Sequence, residues 1–223
     1  MNAQEIISHF GMRPHPEGGF FYRTYEAPQV LSAEEMPCGF VGPRPLSTAI
    51  LFLLEQGQYS RLHRIRQDEL WHFYLGGPMR LACIDTHGYP REVTLGHDIF
   101  AGQHLQFTVP GGCWFGATPA PGSAFSLVGC TVSPGFDMDD LRIGQPAIFT
   151  VDALDHLKLR GHVQQISPAT GSEFALLQAD NATGNFVKIA QRVPVRIMVD
   201  PDQAESERLR PGLSVVVSID TAG

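Results

Sequence analysis

Gly57-Gln58-Tyr59-Ser60-Arg61-Leu62-His63-Arg64-Ile65-Arg66-Gln67-Asp68-Glu69-Leu70-Trp71-His72-Phe73-Tyr74-Leu75-Gly76 is the stretch from which the fold is read. Two short runs, Ser60 to Ile65 and Leu70 to Leu75, are separated by polar residues and bounded by glycines at 57 and 76, the pattern of two strands joined by a turn. Alternation sends residues 63 and 65 to one inward face, and the turn at Arg66 to Asp68 returns Glu69 to it on the next strand. Trp71 and Phe73 share the parity of Glu69, whereas His72 and Tyr74 point the other way in a regular strand. His63 and Glu69 are therefore the expected acid/base pair, with Trp71 and Phe73 as ligand-contacting walls and Tyr74 as a weaker candidate proton donor. A buried imidazole and carboxyl also serve as a purely structural hydrogen-bonded pair, so both readings stay open.

Working outward, further candidate strands are Gly19 to Tyr25, Ser47 to Leu54, Met79 to Ile84, Glu92 to Leu95, Gln106 to Val109, Cys113 to Ala117 and Ala124 to Val132. Gly76-Gly77-Pro78, His87-Gly88, Pro110-Gly111-Gly112 and Pro121-Gly122 punctuate them, so the first part reads as an antiparallel jelly-roll barrel. Ala3 to Phe10 places Ile6, Ile7 and Phe10 at helical spacing ahead of Gly11, predicting a short helix that plugs or flanks the barrel. Beyond it, Ala147 to Asp152, Leu159 to Ile166, Lys188 to Val199 and Ser214 to Ile219 predict a smaller set of strands. Thr170 to Asn185 reads as a long loop around Phe174 to Leu177. The chain is thus expected to be all-β, a barrel with a short N-terminal helix followed by a small β-barrel-like segment.

Charge marks the junction. Residues 1–141 hold eight Arg, no Lys and fourteen acids, and residues 142–223 hold eight basic residues and nine acids. Seven of nine histidines precede residue 141, so domains are expected at 1–141 and 142–223. A net charge of −7 gives no electrostatic footprint for nucleic acid or an anionic membrane. The apolar runs fall short of the roughly 18 residues needed to span a bilayer. Without a basic, apolar leader at the N-terminus, a cytoplasmic location is expected. Cysteines 38, 83, 113 and 130 lack CxxC spacing and are expected to be free thiols.

Gly57, His63, Glu69 and Gly76 fall in the register of the first cupin motif, with Ile65 replacing its second histidine. The second motif should supply another histidine after its Pro-x-Gly, where this chain has Cys113, Trp114 and Phe115. Two of four expected ligands are therefore absent, and no metal cofactor is expected. Should a divalent metal bind, His63 and Glu69 are its ligands, and His72, His97 or His104 the available replacements.

The resemblance extends further. Pro14-His15-Pro16-Glu17-Gly18-Gly19-Phe20-Phe21-Tyr22-Arg23, Asp68-Glu69-x-Trp71-His72-Phe73-Tyr74 and Gly129-Cys130-Thr131-Val132-x-Pro134-Gly135-Phe136-Asp137 resemble the small cupins of cupin family five, which are similar to sugar-nucleotide epimerases. The resemblance implies a jelly roll, a homodimer and a pocket for a small molecule, with a nucleotide sugar as the ligand class. Arg23 is the candidate contact for an anionic group, because guanidinium recognises phosphate or carboxylate bidentately; an ordinary salt bridge is the alternative. Thr48 and Gln106 are further candidate ligand contacts. Phe115 departs from the polar residue expected after the motif's Trp.

Residues 142–223 resemble something unrelated, the C-terminal β-barrel segment of periplasmic adaptors from multidrug efflux pumps. Gln145-Pro146-Ala147, Gly161-His162-Val163, Gln191-Arg192-Val193-Pro194-Val195 and Arg210-Pro211-Gly212 carry that likeness. Half of a split barrel needs another surface to bury its apolar face, so a packing or oligomerisation module is expected rather than an adaptor. Three functions follow as expectations: a metal-independent epimerase or isomerase, a non-catalytic ligand-binding protein, and an interaction protein built on the appended segment. A metal-dependent cupin enzyme is a further alternative.

Overall fold

A computed structural model describes residues 1–223 except 38, 41, 155, 167–194 and 220–223. Phe174 to Leu177, and Lys188 to Pro194 of the strand expected there, lie outside the described residues. Helix α1 (Ala3–Phe10) opens the chain. Asn2 accepts the Glu5 backbone N–H, Glu5 accepts that of Asn2, and Gly11 ends the helix in the left-handed conformation. Ala3, Ile6 and Ile7 bury themselves with Met12 against Leu53, Phe125 and Leu127, so the helix flanks the barrel and does not plug it.

The barrel strands are β1 (Arg13–Pro14), β2 (Phe20–Glu26), β3 (Val30–Leu31), β4 (Arg44–Pro45), β5 (Thr48–Glu55), β6 (Ser60–Arg64), β7 (Glu69–Gly76), β8 (Met79–Ile84), β9 (Pro90–Leu95), β10 (Gln106–Val109), β11 (Trp114–Pro119), β12 (Phe125–Val132) and β13 (Arg142–Ile143). They form a six-stranded sheet β1-β2-β5-β12-β7-β10 facing a five-stranded sheet β13-β6-β11-β8-β9, with β3 and β4 as a separate pair. Hairpins pair antiparallel throughout, as alternating inward apolar residues require: β8 reads buried, intermediate, buried along its whole length. The core between the sheets is Phe52, Leu54, Trp71, Phe73, Leu81, Leu95, Val109, Phe115 and Val128 with their neighbours. Cys83, Cys113 and Cys130 are buried free thiols.

The remaining strands β14 (Pro146–Val151), β15 (Leu157–Ile166), β16 (Val195–Val199) and β17 (Val215–Ile219) form one sheet in the order β16-β15-β14-β17. Its inward face finds its cover on the barrel itself: Val163, with Ile197 and Ile219, packs on Leu62, Trp114 and Ile84. Leu62 and Trp114 are 1% and 4% exposed as a result. The strand β13 belongs to the barrel by pairing, since Arg142 and Ile143 lie opposite Arg64 and His63.

Gly18 and Gly19 let the β1–β2 hairpin press onto its neighbours. At Gly19, φ is 68° and a β-carbon would lie 2.6 Å from the Leu53 carbonyl oxygen, whereas Gly57, at φ 80°, has open space around it. Gly19→Ala is therefore expected to cost about 2 kcal/mol or more, against about 1 kcal/mol for Gly57→Ala, where only backbone strain is added. Urea denaturation of the two variants measures the difference, and equal losses would contradict the packing described.

Candidate functional site

A cavity of about 310 Å³ opens at one end of the barrel. Strand alternation explains which residues reach it. Thr48, Ile50 and Phe52 line it but Leu54, next inward on β5, does not; Val132 and Cys130 line it but Val128 does not; Glu69 and Trp71 line it but Phe73 does not. The same face of each strand is thus cavity at one end and packed core at the other. The β1–β2 hairpin closes one side with His15, Glu17, Phe21 and Arg23.

His63 is almost fully buried, at 1% exposure, and stands behind the cavity wall. Its Nδ1 lies 2.7 Å from the Arg61 carbonyl oxygen, an acceptor only, so Nδ1 carries the proton. Its Nε2 then faces Glu17 Oε2 at 3.2 Å, and the ring packs on Phe115 with centroids 4.0 Å apart. The carboxyl that meets His63 is therefore Glu17 and not Glu69. Glu17 also accepts from the Ser60 hydroxyl, and its backbone N–H donates to His15 Nδ1 at 3.3 Å. Burial drives this cluster to its neutral forms. It lowers His15 to about 4 and His63 to about 3, and it raises Glu17 well above the carboxylate range, with the neighbouring Glu69 adding to the rise. Glu17 accordingly holds the proton and donates it toward His63 Nε2.

Glu69 faces the cavity directly. Burial raises its pKa to about 7, with the neighbouring Cys130 thiol and Trp71 indole partly offsetting the rise. Cys130 is pushed up by burial and by Glu69, so its thiol stays protonated and is not a nucleophile. Arg23 lines the cavity from a half-exposed position and pairs with Glu26 at 2.5 Å. Thr48 lines it too, while its hydroxyl oxygen accepts the Phe136 backbone N–H at 3.0 Å and so holds the 133–137 loop in place.

Besides His63, three expected site residues lie off the cavity wall. Phe73 is buried in the core edge-on to His97 and does not reach the cavity. Tyr74 sits at a β-bulge opposite Leu127 and Val128, is 44% exposed, and lays its ring over Gly129 on the outer surface. Gln106 is exposed on β10, opposite His72. The sequence reading missed His15 and Glu17 as site residues. The available signal was two titratable groups set between Pro14, Pro16 and Gly18-Gly19, a turn that brings both under the barrel mouth.

Residues 4–144 match the family described as Cupin superfamily (DUF985), and the chain belongs to that family. A protein from Shewanella oneidensis, SO0799, is 36% identical with a TM-score of 0.57 over 65% of this chain and 85% of its own. A hypothetical protein from Leishmania major is 32% identical with a TM-score of 0.59 over 65% of this chain and 88% of its own. The chain is also similar to the multidrug export protein EmrA of Escherichia coli, 49% identical over 83 residues, which are 37% of this chain and 21% of EmrA. It spans only about a fifth to a third of the length of the efflux proteins that lead its curated matches.

The residues present do not fit a cupin metal centre. Ile65 puts hydrocarbon on the cavity wall where the motif has histidine, and both nitrogens of His63 are committed to Arg61 and Glu17. Among the described residues no group of three or more His, Cys, Asp or Glu is placed to hold a metal ion. His72 stacks on Tyr74 outside the barrel, and His97 and His104 are exposed.

The Glu69 shift carries a sign. Its folded pKa, about 7, lies above the ordinary 4.5, so the neutral carboxyl stabilises the fold fully below about pH 4.5 and this contribution is lost as pH rises through 7. Glu69→Gln, neutral at every pH, is expected to gain stability relative to wild type between about pH 5 and pH 8 in urea titrations. A difference independent of pH would show that Glu69 is not held neutral by burial.

Proposed function

We propose that the cavity binds a small polar ligand carrying a carbonyl and moves a proton beside it without a metal, as an epimerase or isomerase of a nucleotide sugar would. The observation that carries this reading is Glu69, a cavity-facing carboxyl with a pKa of about 7. A base poised near the working pH keeps both a usable deprotonated fraction and the driving force to accept a proton. In this scheme Glu69 takes the proton from the carbon next to the carbonyl, and the bonding electrons move to the carbonyl oxygen. The Glu17 carboxyl, kept protonated against His63, passes its proton to that oxygen to give an enol. Return of a proton from Glu69 to carbon and of the enol proton to Glu17 restores the carbonyl, and Arg23 holds an anionic group of the ligand. Phe52, Trp71 and Ile65 exclude water from the reacting centre. His63 acts through Glu17 and is a positioning residue.

Non-catalytic ligand binding is the second reading, supported by the mainly apolar lining and by the closed hydrogen-bonding of His63. The appended sheet fits a packing module, since its Val163, Ile197 and Ile219 pack on Leu62 and Trp114. Buried free thiols at three of the cysteines are in keeping with the reducing cytoplasm.

Chelator-treated protein incubated with keto-sugar nucleotides in deuterated buffer tests the scheme by NMR. The expected outcome is deuterium at the carbon beside the carbonyl, a rate that climbs with pH to a plateau above about 7, and a loss of about 100-fold or more in Glu69→Gln. Saturable binding without exchange would establish the non-catalytic reading, and exchange unaffected by Glu69→Gln would remove Glu69 from the mechanism.

A further inference from the structure

A second cavity, about 340 Å³, shares Ile65 as a bordering residue with the first. Its character is different. Three arginines line it, Arg64 on β6, Arg66 in the turn after β6, and Arg142 on β13, with Asp140 the one carboxyl among the described lining residues. Asp140 pairs with only one of the three. Its Oδ2 accepts from Gln67 Nε2 at 3.0 Å and faces Arg44 Nε at 3.7 Å, and Oδ1 faces Arg66 Nε at 3.4 Å. Arg66 therefore shares this buried carboxyl with Arg44, which also faces Asp137 Oδ2 at 3.7 Å, while Arg64 and Arg142 have no part in the pairing. Arg64 lies over the Trp114 ring, 5.1 Å from its centroid, and Arg142 donates to the carbonyls of Asp139 and Leu141. These contacts orient two cations without cancelling their charge.

The opposite wall is backbone. Gly111 donates its N–H to Asp68 at 2.7 Å and Gly112 donates its own to the Ile65 carbonyl at 2.8 Å, so the wall offers the cavity no free backbone donor. A β-carbon at Gly111 would lie 2.3 Å from the Arg66 carbonyl oxygen, so glycine keeps the two loops in contact. The antiparallel pairing of Arg142 with Arg64 fixes their spacing across β13 and β6.

We propose that this cavity is a binding site for the phosphate group of a small molecule, held by Arg64, Arg66 and Arg142. Three arginines around one recess suit a tetrahedral, multiply charged oxyanion better than a single carboxylate, because each guanidinium fork can offer parallel donors. The site is independent of the chemistry assigned to Glu69. It depends on the junction with the appended segment, since β13 supplies one of its three cations.

Titration of inorganic phosphate into the full chain by calorimetry at low ionic strength tests the site. Wild type is expected to bind saturably in the millimolar range or tighter, and Arg64→Gln and Arg142→Gln each to weaken binding by about 10-fold or more, Arg142→Lys by less. Arg64 is partly exposed and Arg142 exposed, neither pairs with Asp140, and thermal melts of the two variants are the check that they fold. Absence of saturable binding up to about 10 mM phosphate, or binding that survives both glutamine substitutions, would overturn the proposal.

Discussion

One buried contact, Glu17 to His63, holds the functional end of the molecule together. It joins the turn between β1 and β2, part of the six-stranded sheet, to β6 of the five-stranded sheet. Two charges there would be costly to desolvate; a neutral carboxylic acid against a neutral imidazole needs only one shared proton. The Arg61 carbonyl decides the arrangement by claiming Nδ1, which leaves Nε2 as an acceptor for Glu17. The same turn is fastened again by the Arg61 N–H to the Glu17 carbonyl at 2.7 Å and by the Arg61 guanidinium to Pro16. His15 and Glu17 are on the cavity wall because this clamp puts them there.

The cavity follows from how far each strand's inward residues are packed. Large side chains on β8 and β9, Met79, Leu81 and Leu95 among them, fill one end of the barrel with Leu54, Phe73 and Val128. At the other end the inward positions are held by Thr48, Glu69 and Cys130, and the space between them stays open. Polar groups placed in such a poorly solvated recess lose their charges first. This is why carboxyls at 17 and 69 are raised and imidazoles at 15 and 63 lowered by the same burial.

Much of this was legible in the sequence, and the omissions have physical causes. Strand existence and parity followed from alternation: Met79–Ile84 and Gln106–Val109 agree residue for residue, and Glu69 and Trp71 face inward together. Parity gives a face but not a depth, so Phe73 was expected at the ligand when it fills the closed end. A bulge at Tyr74 breaks the period, and both Tyr74 and Leu75 turn outward. The partner of His63 was out of reach because Glu17 lies 46 positions earlier in a turn whose contacts are set by tertiary packing. The two-residue strand β13 carried no periodic signal, and the Arg-lined recess it completes was invisible for that reason.

The account stands or falls on the protonation state of the Glu17–His63 pair. Nitrogen-15 NMR of histidine-labelled protein reads it directly, because protonated, Nδ1–H and Nε2–H imidazoles have distinct shift patterns. The prediction is a neutral His63 carrying its proton on Nδ1, with no titration from about pH 8 down to pH 5. A doubly protonated His63 at neutral pH, or the proton on Nε2, would mean that Glu17 is a carboxylate, and the neutral-pair account would be wrong.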